Sequence, residues 1–182
     1  MKKILFVILF FQIAFSINAQ IVKGEEPFTE ITSVENKIVF LKEFPLHQVQ
    51  ADSAFNNIKQ WAKDYYGKDR LNSTIRFDSK NKEIRIVSRV ELILPENSDG
   101  VSLSVQMKYK TNVFLFQGKC VMETRSMSYF IAEGKKTKNY RAEDIYLLNT
   151  ATDLPQEFKE NLKKSTLYFI NEISENLSKS IK

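Results

Sequence analysis

The chain has one cysteine and one histidine among 182 residues, with only five glycines and four prolines. A single cysteine excludes an intramolecular disulfide. A single histidine excludes every zinc site that needs two imidazoles, and leaves His47 as the only candidate base for a Ser-His-Asp or Cys-His arrangement. The glycines, at 24, 67, 100, 118 and 134, stand singly. Nowhere do they space as the Gly-x4-Gly-Lys-Ser/Thr loop that cradles phosphate. Long runs of one charge are missing too; Lys135-Lys136-Thr137-Lys138 is the densest basic stretch. No internal repeat recurs at a fixed period, and no cofactor is expected.

What is present is enough apolar residue for a packed domain: 43% of the chain is hydrophobic and 27% charged. The N-terminus has a three-part pattern of its own. Met1-Lys2-Lys3 is basic, Ile4 to Phe11 is unbroken apolar, and Ile17-Asn18-Ala19 sets a small residue before Gln20. That is the grammar of a secretory signal peptide over residues 1–19. The apolar run falls short of the roughly 20 residues that a spanning helix needs. The expectation is export to the periplasm or outer-membrane periphery of a Gram-negative bacterium, with no transmembrane span after cleavage. Cleavage would remove two of 27 basic residues and none of the 22 acidic ones, lowering the formal charge from +5 to about +3. An exported chain of mild charge is not expected to bind nucleic acid.

Residues 20–36 show no sustained period and are taken as an N-terminal leader, followed by a single domain over 37–182. Ile38 to Leu41 is a short apolar run of strand length. Over Ala51–Tyr66 the apolar residues Phe55, Ile58, Ala62 and Tyr65 recur at helical spacing, with Asp52 in the first turn and Gly67 as a C′ stop. From Thr74 the period becomes two. Ile75 and Phe77 lead to a turn at Ser79-Lys80-Asn81-Lys82, where Asn81 is suited to positive φ. Ile84, Ile86, Ser88, Val90, Leu92 and Leu94 then share one face, with Arg85, Arg89 and Glu91 on the other. Val101 to Tyr109 alternates again and continues to Phe116, with Thr111-Asn112 as the place for a bulge. Gln117-Gly118-Lys119 makes a hairpin turn into a strand from Cys120 to Ile131. Tyr140 to Leu148 holds a helical turn or an edge segment. Pro155 opens a last helix with Phe158, Leu162, Phe169, Ile173, Leu177 and Ile181 on its inner stripe; Lys159, Glu160 and Lys163 are expected to face water.

This order, β-α-β-β-β-β-α, predicts an α+β two-layer sandwich: an antiparallel sheet with helices on one face and water on the other. Arg76, Arg85, Arg89, Lys108, Lys110 and Arg125 can all lie on that wet face, and Arg85, Arg89 and Lys108 are taken as a contact surface for a partner. Other candidates carry less chemistry. His47 sits in a polar connection, and Cys120 reads as a small buried hydrophobe. Glu143-Asp144 reads as a helix start, where carboxylates complement the dipole.

Several short segments together resemble the exported Bacteroidetes-type family of the domain of unknown function 4468, which has a TBP-like fold. They are Lys37-Ile38-Val39-Phe40, Asp52-Ser53-Ala54-Phe55 through Lys59-Gln60-Trp61, Phe77 to Ile84, Gln117-Gly118-Lys119-Cys120, and Tyr140-Arg141-Ala142-Glu143-Asp144. The resemblance spans residues 37 to 148. It implies the fold and brings no catalytic residues; Asn81 stands where the family is expected to carry Gly. The functional expectation is a non-enzymatic binding module for an unknown envelope protein. A carrier of a small apolar ligand or lipid, held between helices and sheet, is the second reading. An enzyme using Glu123, Glu143 or Asp144 is the third.

Overall fold

A computed structural model describes residues 21–46, 50–134 and 136–181. The expected signal peptide and His47 fall outside the described residues. In chain order the elements are β1 (Ile21–Lys23), β2 (Ser33–Val34), β3 (Lys37–Pro45), α1 (Ala51–Tyr66), β4 (Ser73–Asp78), β5 (Glu83–Ile93), β6 (Ser104–Phe116), β7 (Lys119–Glu133), β8 (Lys136–Arg141), α2 (Ala142–Tyr146) and α3 (Gln156–Ile181).

The period-two segments β4 to β7 form a meander, because each is joined to the next by a connection short enough for an antiparallel neighbour. β3 then pairs with β7, so the spatial order is β1-β3-β7-β6-β5-β4. One face carries Ile38, Phe40, Ile84, Ile86, Leu92, Val105, Met107, Tyr109, Met122 and Tyr129, all buried. Onto it pack α1, through Ala54, Phe55, Ile58 and Ala62, and α3, through Leu162, Ile170, Ile173 and Leu177. This is the expected two-layer sandwich. Among the described residues, no helix is long and apolar enough to cross a membrane.

Several local expectations are corrected. The segment taken as a leader contributes to the sheet: β1 pairs with β3 in parallel, so the sheet is antiparallel only from β3 onward. Phe28 enters the core, and the Asn171 side chain holds its backbone, accepting from Phe28 N at 2.8 Å and donating to Phe28 O at 3.0 Å. An amide side chain thus supplies the two bonds that another strand would make. Glu35 and Asn36, both at positive φ, close a two-residue hairpin between β2 and β3.

At the β4–β5 turn, Lys82 and not Asn81 takes positive φ, at 52°. Asn81 is used differently: Asp78 accepts from its backbone N at 3.0 Å and from its side-chain amide at 2.8 Å. Lys82 pairs with Asp52 and lies 5.1 Å from the Phe55 ring, pinning the turn to α1. Gly67 stays right-handed at φ −74°, and the Lys63 carbonyl it caps leaves no room for a Cβ.

The bulge lies on β7 rather than at Thr111-Asn112. Between Lys108↔Ser128 and Lys110↔Arg125 the β7 side has one extra residue, and Ser126 takes φ 54°. The inward phase accordingly changes from Cys120, Met122 and Thr124 to Met127, Tyr129 and Ile131. Thr111 and Thr124 instead pair squarely, their buried hydroxyls 2.9 Å apart. Strand structure on β6 begins at Ser104, leaving Val101 and Leu103 exposed in the preceding loop. On α3, Lys159 turns inward, 8% exposed, because its Nζ reaches Asn149 Oδ1 at 3.1 Å, while its stem covers apolar surface.

Candidate functional site

The face of the sheet opposite the helices is built from the odd-numbered residues of β5 and the even-numbered residues of β4 and β6. The expected residues Arg85, Arg89 and Lys108 all lie on it, and the pairing register adds a feature that sequence spacing cannot show. Arg76 stands directly opposite Arg85, Arg89 opposite Lys108, and Lys110 opposite Arg125. Three cation–cation pairs therefore occupy adjacent ladders of one face. Opposite charges at such positions contribute about 0.2–1 kcal/mol, and like charges destabilise. The arrangement is a cost to folding.

Two of the six cations are held by carboxylates. Arg85 makes a two-pronged bond with Glu83, Nε to Oε1 and Nη2 to Oε2 each at 2.6 Å, and Glu83 is mostly buried beneath it. Arg125 reaches Glu123 Oε2 at 3.2 Å, and Asn112 donates to the same oxygen at 2.9 Å. Among the described residues, Arg76, Arg89, Lys108 and Lys110 have no ion pair. Arg89 lies 5.6 Å from the Phe130 ring, a contact that attracts the cation but brings no counter-charge. Around Val87 the surface dips into a hollow of about 880 Å³, rimmed by Arg76, Arg85, Lys110 and Arg125.

A second polar feature was not legible in the spacing. Lys42, on the inner face of β3, is 3% exposed. Its Nζ donates to Ser174 Oγ at 3.2 Å and lies 5.7 and 5.8 Å from the rings of Phe28 and Phe44. Burial draws its pKa down, while Glu175, Glu25 and Glu26 act in the opposite sense. The only signal was a lysine at an inward position of an apolar strand.

The remaining candidates have structural work. Cys120 is fully buried, and burial pushes its thiol up to about 12, so it is not a thiolate at neutral pH. Glu143 Oε1 accepts from Ile38 N at 3.0 Å and ties α2 to β3. Asp144 pairs with Arg141 at 2.6 Å and accepts from its backbone N at 3.3 Å, which holds its carboxyl below the usual range and starts α2. Glu123 belongs to the Arg125–Asn112 cluster described above. The space between helices and sheet is realised as an open groove of about 700 Å³ beside β5 and α3, lined by Tyr65, Leu92, Leu94, Tyr168 and Phe169 among others.

The fold defines a class. The chain superposes on a TBP-like protein from Parabacteroides distasonis ATCC 8503 with a TM-score of 0.74 and 22% identity, covering 83% of this chain and 96% of that one. It matches a DUF4468 family protein from Bacteroides ovatus ATCC 8483 with a TM-score of 0.68 and 19% identity, covering 83% and 90%. No family model and no curated protein matches the sequence. The protein has the TBP-like α+β fold, and the solved structures it is similar to are the kind that its short motifs suggested. At these identities the likeness speaks for the fold alone, since function lives in the site.

Proposed function

We propose that this protein is a non-enzymatic binding module of the cell envelope, whose open sheet face engages an acidic surface of a partner protein. The observation that carries the reading is the set of three directly opposed cation pairs. A protein that needed only to fold would gain by replacing one member of the pair in which neither cation is held, Arg89–Lys108, with a carboxylate. A partner that brings carboxylates converts the same cost into complementarity, with faster encounter and a strong dependence on salt. Phe130, Phe114 and Val87 on the same face supply apolar contact between the charges. The envelope location rests on the secretory pattern of residues 1–19.

Poly-L-glutamate serves as a defined stand-in for an acidic surface. The wild type is expected to bind it at low salt. The pair of substitutions Lys108→Glu and Lys110→Glu is expected to weaken binding at least tenfold without lowering the melting temperature. Undiminished binding by that variant would overturn the reading. Crosslinking in the native envelope, followed by mass spectrometry of the adducts, then identifies the partner.

A further inference from the structure

The two strands at one side of the sheet differ in length. β5 has eleven residues and β4 only six, and their pairing ends at Ser73↔Ser88. Beyond that point β5 runs on to Ile93 with β6 on one side and, among the described residues, no strand on the other. The direction of its backbone groups follows from two bonds. Arg89 N donates to Asn72 O at 3.0 Å, on the β4 side, and Leu94 N donates to Leu103 O at 2.8 Å, on the β6 side. Alternation along an antiparallel ladder then sends the N–H groups of Glu91 and Ile93, and the Glu91 carbonyl, toward the side without a strand. Among the described residues nothing bonds to these three groups; the Ile93 carbonyl alone is taken, by Ser165 Oγ at 2.8 Å.

The 700 Å³ groove lies along this edge, with Val90, Leu92 and Leu94 on the sheet side and Tyr65 and Phe169 opposite. Its rim is a ridge of α3 in which Lys164, Tyr168 and Glu172 follow one another four residues apart, all exposed. Lys164 stands at the Ile93 end, next to Ser165. Glu172 stands at the other end, beside Tyr65. Among the described residues neither has an ion pair. Eight residues of helix separate the two charges by about 12 Å. Four residues of extended chain span about 13 Å. In a strand, residues i, i+2 and i+4 face the same way.

We propose that the Arg89–Ile93 edge of β5 takes a short extended segment of a partner protein, paired antiparallel to β5 in line with β4. Its side chains facing α3 would be acidic at the first position, apolar two residues on, and basic four residues on. The acidic group meets Lys164, the apolar one Tyr168 and Phe169, and the basic one Glu172. The backbone bonds to Glu91 and Ile93 give the affinity, and the charge order gives the direction, as in other cases of strand addition. A small apolar ligand would leave both the backbone groups and the rim charges unanswered. This edge shares only Arg89 with the basic face, and Arg89 N is already bonded to Asn72 O; the groups tested here are those of Glu91, Ile93, Lys164 and Glu172, so each reading stands or falls alone.

The test uses the full-length processed protein, labelled with 15N, and the blocked peptide Asp-Thr-Val-Thr-Lys. Addition of the peptide is expected to slow amide exchange at Glu91 and Ile93. The reversed peptide Lys-Thr-Val-Thr-Asp is expected to bind at least fivefold more weakly, and the doubly exchanged Lys164→Glu, Glu172→Lys variant is expected to invert that preference. Both positions are exposed, and the wild-type comparison of the two peptides decides the matter even if the variant fails to fold. Equal binding of the two peptides, unchanged exchange at Glu91 and Ile93, or a lipid of defined mass found in the groove by native mass spectrometry would each overturn the proposal.

Discussion

Arg89 and Lys108 face each other across the β5–β6 ladder, two cations on neighbouring strands with no carboxylate bound to either among the described residues. Cations also stand opposite one another at Arg76–Arg85 and Lys110–Arg125, but there a carboxylate holds one member of each pair, Glu83 for Arg85 and Glu123 for Arg125. The fold tolerates these pairs because the opposite face of the same strands carries the hydrophobic core.

Lys108→Glu turns one repelling pair into an attracting one while leaving the Arg89–Phe130 contact in place. It should stabilise the fold by roughly 0.2–1 kcal/mol. For a chain of this size that is a rise of about 1–4 °C in melting temperature. The same variant should bind poly-L-glutamate less well. A lower melting temperature would show that the cation pair is not a cost to folding.

Binding through this face should weaken between 50 and 300 mM salt, because the four cations without an ion pair face solvent, where salt screens their attraction for an acidic partner. Titration of poly-L-glutamate at the two salt concentrations checks it. Salt-independent binding would point to the phenylalanines instead.

Asn171→Ala removes both bonds to the Phe28 backbone and leaves that N–H and carbonyl unpaired in a partly buried site. The loss should be about 1–3 kcal/mol, read by urea denaturation. Limited proteolysis should cut first within residues 24–32, since these bonds anchor that segment to α3.

Cys120 should resist iodoacetamide at pH 8 in the folded protein and react readily in denaturant. Its titration is raised to about 12 by burial, so the thiol stays protonated across the neutral range. Reaction in the native state at the rate of a free thiol would contradict the burial of the β7 start.

Asp153 receives bonds from Lys138 Nζ at 2.8 Å and from the Tyr140 hydroxyl at 2.5 Å, which hold its carboxyl down to about 2. A carboxyl depressed in the folded state stabilises above its ordinary pKa of 3.8 and loses that contribution as pH falls through about 2. A carbon-detected titration should show the low midpoint in the wild type, and a return toward 3.8 in Lys138→Met. An unshifted midpoint in the wild type would mean that the link between β8 and the loop before α3 does not form in solution.

Where one side of an element meets water and the other meets the core, its residues announce it by period. The helix over Ala51–Tyr66 coincides with α1, and of the inward set Ile84, Ile86, Ser88, Val90, Leu92 and Leu94 all are buried as the alternation implies except Val90, which is half-buried at the groove. Gln117-Gly118 is a turn because Gly118 takes φ 79° between two strands that already alternate. β1 and β2 gave no such signal: strands of three and two residues are too short to show a repeat, and they exist because β3 pairs with both, while Asn171 holds Phe28 between them. Lys42 and Lys159 are inside because a hydroxyl, an amide oxygen and aromatic rings come to them from distant parts of the chain.

The sequence by itself determined the types of the longer elements, the two-layer arrangement and which residues share the outer face, because side-chain periodicity is a local property of the backbone. Tertiary structure decided which of those residues stand opposite one another, on which strand the extra residue at Ser126 falls, and where β5 outruns its neighbour. These are matters of register and relative length between strands, which are set by long-range pairing. Both candidate binding surfaces depend on them.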